Sequence, residues 1–584
     1  MKLFWAAAVF VAAACARETT SDVGPQAGEK ADFAIVNAKI RTMDWAGEDP
    51  SAEGGTVAAA LCVAGGVFTH VGADASDCVG TETRVVDAGG RLVLPGLIDS
   101  HSHILGGAIS EQKVNLSLAD TMEKLLAALA AIRDDNPGDG VVYARGWQNH
   151  LFPPEGPRAS LLDQIFGDRP VILSSVDGHS TWFSSKALAL GGADAATPDP
   201  VPGVSFFERD PETGALLGTA REGAGSFIVE KLVSRKTADY EAALRRFLPR
   251  AAQAGLTGMF DAGMGAPSEE EAYGLLARLE REGALSLRVF ASTADRDGED
   301  DPAARLVDLR ARHQGDRLRP AAVKLFADGV PEAHTAFLSS DYVDRPGSRG
   351  APMTSPERMA RLILSAEEKG VSAHVHAIGG GAVKMTLDAV EAARAAVPGD
   401  GPRHAIAHMD LVDAVDIPRF AALGVVAQTS IQWATRDPSF DNIARFVGEG
   451  AMEAAYPVRT LIDAGAVQSF GADWPAASYL STFEPMTLIE VAVTRRLPGR
   501  RDLLARNPDE ALTVAEAVAG MTRASAFQLG EEARLGSIEA GKAADLIILD
   551  KDIFAVDPFE IHTARALMTM VGGDVVHAAG PFTP

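Results

Sequence analysis

The stretch Leu94-Pro-Gly-Leu-Ile-Asp-Ser-His101-Ser-His103 decides the fold. It has the pattern of an apolar strand that ends in two histidines two positions apart, and residues two apart on a strand point to the same side. His101 and His103 can therefore converge on one metal ion. They follow the carboxyl end of the predicted strand, which is where parallel α/β barrels build their active sites. The stretch thus predicts the first strand of a barrel and two metal ligands.

From Pro95 onward the chain repeats a pattern of apolar strand, loop and helix. The eight predicted strands are 96–100, 257–261, 286–292, 321–327, 371–376, 404–408, 425–429 and 467–471. This alternation predicts an α/β fold, a (β/α)8 barrel of the TIM type over residues 95–534. The gap between the first two strands is too long for one strand–helix unit, so we expect an inserted subdomain at about 105–250.

Short β-type segments flank the barrel at both ends of the chain. They occupy residues 32–94, with a hairpin signal at Gly65-Gly66, and return after about residue 535. We expect residues 32–94 and 535–580 to form one small β-sandwich domain. Cys62 and Cys78 lie in the first region, and the sequence leaves two possibilities open: a disulfide in an oxidising compartment, or two unpaired core thiols.

The N-terminus is typical of a secretory signal. An apolar run over residues 3–14 follows Lys2 and is too short for an ordinary membrane-spanning helix. Cys15 follows three alanines and resembles the lipidated cysteine of a bacterial lipobox, although cleavage near Ala14 or Ala16 stays open. Residues 1–15 are therefore predicted as a signal peptide and 16–31 as a polar tether. The expected location is the bacterial periplasm, with contact to a membrane only through a possible lipid anchor.

The net charge of the chain disfavours nucleic acid as a partner. The 584 residues include 79 Asp and Glu against 54 Lys and Arg, a formal net charge of −25, and 47% of them are hydrophobic. This composition is typical of a folded globular protein. It disfavours nucleic-acid binding, which needs a basic patch to displace counterions from phosphate.

Further motifs occur in a fixed order along the chain. They are DGHSTWFSSKAL at 177–188, VKLFADGV at 323–330, HVHAIGGGAV at 374–383, IAHMD at 406–410, GADWP at 471–475 and GSIEAGKAADLIILD at 536–550. Together with PGLIDSHSH, this set resembles the amidohydrolase superfamily. Within it, the chain is similar to the family 3 branch of exported enzymes related to N-substituted formamide deformylases.

The resemblance implies a barrel that holds one or two divalent metal ions, zinc or a similar metal. The implied ligands are His101, His103, Lys324, His376, His408 and Asp473. Imidazoles and carboxylates suit zinc. Lys324 matches a lysine that, in two-metal relatives, reacts with carbon dioxide to give a bridging carbamate. Asp473 matches an aspartate that also takes a proton from the attacking water, and is therefore the expected catalytic base.

Four other residues in or near these motifs also have expected roles. His179 is predicted to be catalytic, hydrogen-bonding the scissile carbonyl, with a structural loop histidine as the alternative. His374 shares a strand face with His376 and is expected to be a core residue or to orient a ligand, while His404 is expected to be structural. Gly380 stands where relatives usually carry Asp, which predicts a weaker helix cap and an altered loop.

The implied reaction is hydrolysis of a carbon–nitrogen bond, other than a peptide bond, in a small amide-type molecule. A metal-dependent esterase or lactonase, or a phosphoesterase, would use the same barrel and the same chemistry. A non-catalytic exported binding lipoprotein is disfavoured because all six matched ligand positions hold competent side chains.

Overall fold

A computed structural model of the chain describes residues 30–44, 55–111, 114–264, 268–296, 301–476, 480 and 482–583. The predicted signal peptide and nearly all of the predicted tether lie outside these residues. Within the described ranges, no helix combines the length and the apolar character needed to cross a membrane.

Eight parallel strands form the central sheet, and their spatial order follows the chain. They are β1 (Leu97–Ser102), β2 (Leu256–Asp261), β3 (Arg288–Ala294), β4 (Leu318–Phe326), β5 (Ser372–Ala377), β6 (Ala405–His408), β7 (Val426–Thr429) and β8 (Gln468–Phe470). Each strand pairs in parallel with the next. The predicted (β/α)8 barrel is confirmed.

The barrel closes through main-chain hydrogen bonds just beyond the end of β8. The N–H of Asp473 donates to the carbonyl oxygen of His101 at 2.6 Å, and the N–H of His103 donates to the carbonyl oxygen of Trp474 at 2.8 Å. The first and the last strand of the barrel are therefore joined at the residues that carry the predicted ligands.

A buried carboxylate, Asp99, reinforces this closure. Its Oδ1 accepts hydrogen bonds from the N–H groups of His101 at 3.0 Å and Ala472 at 3.1 Å. A Cβ added to Gly471 would lie 2.4 Å from the main-chain nitrogen of His101. Only glycine lets the end of β8 approach β1 this closely, which explains the Gly of the GADWP motif.

Helices surround the barrel strands, and their buried residues belong to the apolar clusters in and around the barrel. They are Ile104–Ser110, Thr237–Gln253, Glu269–Arg281, Pro302–His313, Pro356–Glu368, Gly380–Ala396, Ile417–Leu423, Pro438–Val447, Glu449–Glu453, Val458–Asp463, Pro485–Thr494, Val514–Gly520 and Arg523–Gln528. Several helices begin with a polar side chain that accepts a hydrogen bond from a main-chain N–H of the first turn. Examples are Ser268, Asp301, Ser355 and Thr513.

The loop after β5 has glycine at position 380, and Gly379, the N-cap of the helix that follows, makes no side-chain hydrogen bond. Asp328 accepts main-chain hydrogen bonds from residues 378 and 379, at 2.9 and 3.0 Å, and so holds the turn. A Cβ on Gly380 would lie 3.3 Å from both carboxylate oxygens of Asp413. A carboxylate from another loop therefore lies near the start of helix Gly380–Ala396, where negative charge is favourable.

A separate sheet is inserted between β1 and β2. Its six strands, in spatial order, are Phe207–Arg209, Leu216–Arg221, Ser180–Phe183, Val171–Ser175, Val142–Trp147 and Val114–Asn115. Helices Met122–Asp135, Ala159–Phe166, Ser185–Gly191 and Ser226–Leu232 accompany it. The buried side chains of Trp147 and Trp182 give it an apolar core of its own.

The two ends of the chain form a β-sandwich, as predicted. One sheet has the order Val67–Gly72, Ala60–Ala64, Phe33–Val36 and Arg84–Asp87; the other has Asp574–Ala578, Ala566–Val571, Leu546–Leu549, Leu92–Pro95, Lys39–Arg41 and Val57–Ala58. Phe33, Leu61, Val93 and Met568 are buried between them. A disulfide joins Cys62 to Cys78, which decides between the two possibilities left by the sequence.

Candidate active site

The carboxyl ends of the barrel strands surround a cavity of about 340 Å³. Its walls consist of His101, His103, Asp177, Gly178, His179, Glu222, Gly223, Lys324, Phe326, Met353, His376, His408, Asp473 and Ala476. The structure thus brings all the predicted ligands and His179 to one place, although they come from five barrel strands or strand ends and the inserted sheet.

The tightest cluster in the cavity consists of His101, His408 and Asp473, whose ligand atoms lie within 4.8 Å of one another. Nε2 of His101 is 3.4 Å from Oδ1 of Asp473, and Nδ1 of His408 is 3.9 Å from Oδ2. His103 adds its Nε2 at 3.1 Å from the same Oδ1. Asp473 has a φ of +51°, a strained backbone conformation that is found at functional sites.

The donor atoms of this cluster fit a divalent metal ion. In the described part of the chain, Nε2 of His101 and Oδ1 of Asp473 are buried and make no hydrogen bond of acceptable geometry, although Nε2 of His101 and His103 lie 3.4 and 3.1 Å from Oδ1. Leaving such atoms unpaired costs about 1–3 kcal/mol each, so their presence here calls for an explanation. A cation between them supplies it, since imidazole nitrogen and carboxylate oxygen are the usual ligands of zinc.

The imidazoles are held in the protonation state that binds metal. Burial lowers the pKa of His101, His376 and His408 well below the usual value, and the nearby Lys324 lowers it further. The rings are therefore neutral at pH 7, and neutral imidazole is the form that coordinates a metal ion. The ring of His376 lies 4.6 Å from that of His408.

Lys324 lies near the carboxyl end of β4 and is almost completely buried. Burial lowers its pKa to about 8, although the negative charge of Asp473 acts in the opposite direction. A larger share of the amine is then neutral, as reaction with carbon dioxide requires. Asp328, a carboxylate four residues further along the chain, accepts main-chain N–H groups of residues 337, 378 and 379.

His374 and His404, the two histidines that share a strand face with a predicted ligand, do not line the cavity. Nε2 of His374 is 2.7 Å from Nδ1 of His101, and its ring packs on Phe260. This contact suits the orienting role expected for His374. His404 is bonded to Glu367 at 2.9 Å and accepts the N–H of Ala373, away from the cavity walls.

His179 reaches the cavity from the inserted sheet and is paired with Glu222. Its Nδ1 is 2.7 Å from Oε2 of Glu222, and its ring lies 5.4 Å from the ring of His376. Burial alone would lower the pKa of His179, but the charge and hydrogen bond of Glu222 raise it to about 9. The ring is therefore a cationic hydrogen-bond donor at neutral pH.

Sequence reasoning missed Glu222 and Trp433. Glu222 directly follows the strand Leu216–Arg221, and its position at a strand end before a glycine was the available signal. Trp433 stacks on His408 with ring centroids 5.2 Å apart and planes inclined by 8°. No motif marks this tryptophan, because its role depends only on the stacking contact.

A (β/α)8 barrel with a His/His/Asp cluster at the carboxyl ends of its strands belongs to the class of metal-dependent hydrolases. A model of the amidohydrolase family matches residues 84–577, most of the chain. The chain therefore belongs to the amidohydrolase family, in agreement with the resemblance found in its motifs.

Known proteins resemble this chain over nearly its whole length. Protein LONG AFTER FAR-RED 3 of Arabidopsis thaliana is 28% identical over 575 residues, which cover 95% of this chain and 93% of that protein. N-substituted formamide deformylase of Arthrobacter pascens is 27% identical, covering 93% of this chain and 97% of that protein. The crystal structure of an uncharacterized metal-dependent hydrolase from Pyrococcus horikoshii matches 90% of this chain and 99% of its own, with a TM-score of 0.67 and 25% identity.

Proposed function

We propose that the protein hydrolyses a carbon–nitrogen bond, other than a peptide bond, in a small amide-type molecule. The observation that carries the proposal is the buried cluster of His101, His408 and Asp473, with two unpaired ligand atoms facing a cavity. The cavity, of about 340 Å³, suits a small molecule. The similarity to N-substituted formamide deformylase supports an amide over an ester or phosphoester as the substrate.

We further propose zinc or a similar divalent metal, as one or two ions. His101, His408 and Asp473 would hold one ion; His103, His376 and a carbamate on Lys324 would complete a two-ion site. A divalent metal in such a site polarises a carbonyl and lowers the pKa of water to about 7.

The side chains of the cavity supply the remaining chemistry of the proposed reaction. The carboxylate of Asp473 would accept a proton from the attacking water and then deliver it to the leaving nitrogen. Water oxygen bonds to the carbonyl carbon as the carbon–nitrogen bond breaks, so an acid and an amine are released. His179, donating from Nε2, would hydrogen-bond the carbonyl oxygen as negative charge develops there.

A substrate series tests this reaction. Zinc-loaded protein is incubated with N-substituted formamides, N-acyl amino acids and cyclic amides, beside lactones, simple esters and phosphoesters of similar size. We expect the highest kcat/KM of the whole series for one of the amide classes, with turnover of the amides measured by release of amine. Turnover confined to lactones, esters or phosphoesters would replace the proposal with the corresponding alternative, and tight binding without turnover would favour a binding protein.

We also propose that the protein is exported and lipidated at Cys15, on the basis of the apolar run that precedes this cysteine. Mass spectrometry of protein from a membrane fraction is expected to find a mature chain that begins at a diacylglyceryl-modified Cys15. The variant Cys15→Ala is the control and should leave the membrane fraction. A mature chain that begins at any other residue contradicts the lipoprotein proposal.

A further inference from the structure

We propose that Glu222 is a positioning residue: it fixes the ring of His179 so that Nε2 is presented to the cavity, and Thr335 in turn fixes Glu222. The inference rests on the proposed function, because it assumes that His179 hydrogen-bonds the substrate. Glu222 belongs to none of the motifs. With His179, it makes the inserted sheet part of the proposed substrate-binding site.

Three hydrogen bonds hold His179, and Glu222 makes two of them. The main-chain N–H of Glu222 donates to the carbonyl oxygen of His179 at 2.8 Å, while its carboxylate Oε2 lies 2.7 Å from Nδ1 of the ring. The third bond runs from the main-chain N–H of His179 to Oδ1 of Asp177 at 2.9 Å. Backbone and ring are thus restrained together, which is what a preoriented hydrogen-bond donor requires.

The other carboxylate oxygen of Glu222 is anchored in the barrel. The hydroxyl of Thr335, in the loop after β4, donates to Oε1 at 2.5 Å and accepts the N–H of Val330 at 2.9 Å. A Cβ added to Gly329 would lie 2.2 Å from the same Oε1, so the glycine leaves room for the carboxylate. Glu222 is therefore held by a hydroxyl group that lies 113 residues further along the chain.

The conformation of Glu222 indicates that its placement is costly. Its φ is +47°, in the left-handed region that residues other than glycine rarely adopt, and its side chain is 4% exposed. Strain of this kind costs about 1–3 kcal/mol and persists where the surrounding contacts impose it. Here the carboxylate of Glu222 contacts the ring of His179 on one side and the hydroxyl of Thr335 on the other.

The chemical consequence concerns the two nitrogens of the ring. With Nδ1–H donating to Glu222, only Nε2 is left to face the substrate. The paired carboxylate also restrains the plane of the ring, so Nε2 keeps one direction toward the cavity. Without Glu222, the ring would be free to rotate and to exchange its tautomers.

A double-mutant cycle tests the inference on the zinc-loaded full-length protein. We expect Glu222→Gln to lower kcat about 10- to 100-fold with KM changed less than about 3-fold, because one transition-state hydrogen bond is misplaced. His179→Ala should cost about 100- to 1000-fold in kcat. The variant carrying both changes should lose no more than His179→Ala alone, since Glu222 acts only through that ring.

Glu208→Gln is the matched control. Glu208 is also a largely buried glutamate of the inserted sheet, but it pairs with Arg221 and does not line the cavity. This variant should keep kcat within about 3-fold of the wild-type value. Losses of Glu222→Gln and His179→Ala that multiply in the double variant would overturn the inference, as would a Glu222→Gln variant with unchanged kcat.

A measurement without substrate separates this inference from the proposed reaction. Diethyl pyrocarbonate acylates neutral, accessible imidazole nitrogen, and mass spectrometry quantifies the peptide that contains His179. We expect at least 10-fold faster modification of His179 in Glu222→Gln than in the wild type, and an unchanged rate in Glu208→Gln. Equal rates in wild type and Glu222→Gln would overturn the positioning role, whether or not an amide substrate has been found.

Discussion

Replacing Asp473 with asparagine is expected to lower kcat/KM by about 1000-fold or more while the barrel stays folded. Asparagine has the shape of aspartate and keeps the main-chain hydrogen bond that residue 473 donates to His101. It cannot accept a proton, and its amide is a poor metal ligand beside the imidazoles of His101 and His408. The measurement is kcat/KM on the best amide substrate, with circular dichroism to confirm the fold.

Asp295→Asn is the control for this prediction. Asp295 follows directly after β3, so it also lies at the carboxyl end of a barrel strand, but it pairs with Arg358 and does not line the cavity. It should retain activity within a few-fold of the wild type. Activity of Asp473→Asn equal to that of Asp295→Asn would exclude Asp473 from the reaction.

Removal of metal is expected to abolish activity, and added zinc is expected to restore it. The cluster leaves two buried ligand atoms unpaired among the residues that the structure describes, and the proposed reaction depends on Lewis acidity that the side chains lack. Elemental analysis of the purified protein should find one to two equivalents of divalent metal. Protein that is fully active after exhaustive chelation would contradict the proposal.

The same measurement on variants tests which residues hold the metal. His101→Ala should lose bound metal, whereas His577→Ala, on the outer sandwich strand Asp574–Ala578, should keep the wild-type content. Lys324→Ala should hold at most one equivalent, because a carbamate on this lysine would be needed to complete a two-ion site. A Lys324→Ala variant that retains two equivalents would show that the carbamate is not required for the second ion.

The strand pattern and the convergence of His101 with His103 were predictable because they depend on local rules. The positions of Lys324, His376, His408 and Asp473 came instead from the resemblance of the motifs to the amidohydrolase superfamily, and their metal ligation stays a prediction. His101 and His103 follow from the two-residue repeat of a strand, and the order of the motifs predicts which strand ends meet in a barrel. The alternation of strands and helices also predicted that an insertion separates β1 from β2, because a strand–helix unit has a limited length.

The features that the sequence did not reveal depend on contacts between distant residues. Glu222 touches His179 across 43 residues and Thr335 across 113, and no periodicity records such a meeting. Asp413 lies near the helix start where relatives carry an aspartate, but it comes from a different loop. The pairing of Cys62 with Cys78 likewise needed the positions of the strands, since spacing alone allowed two outcomes.

The joint between β1 and the end of β8 has a consequence for how the molecule matures. Asp99 and Ala472, which meet there, are separated by 373 residues, so this contact is among the least local in the fold and its loop closure is slow. His101 and Asp473 meet at the same joint, through the hydrogen bond between the N–H of Asp473 and the carbonyl oxygen of His101. A nascent chain therefore has no complete metal cluster until its eighth strand has docked, and uptake of the ion would report that the barrel has been completed.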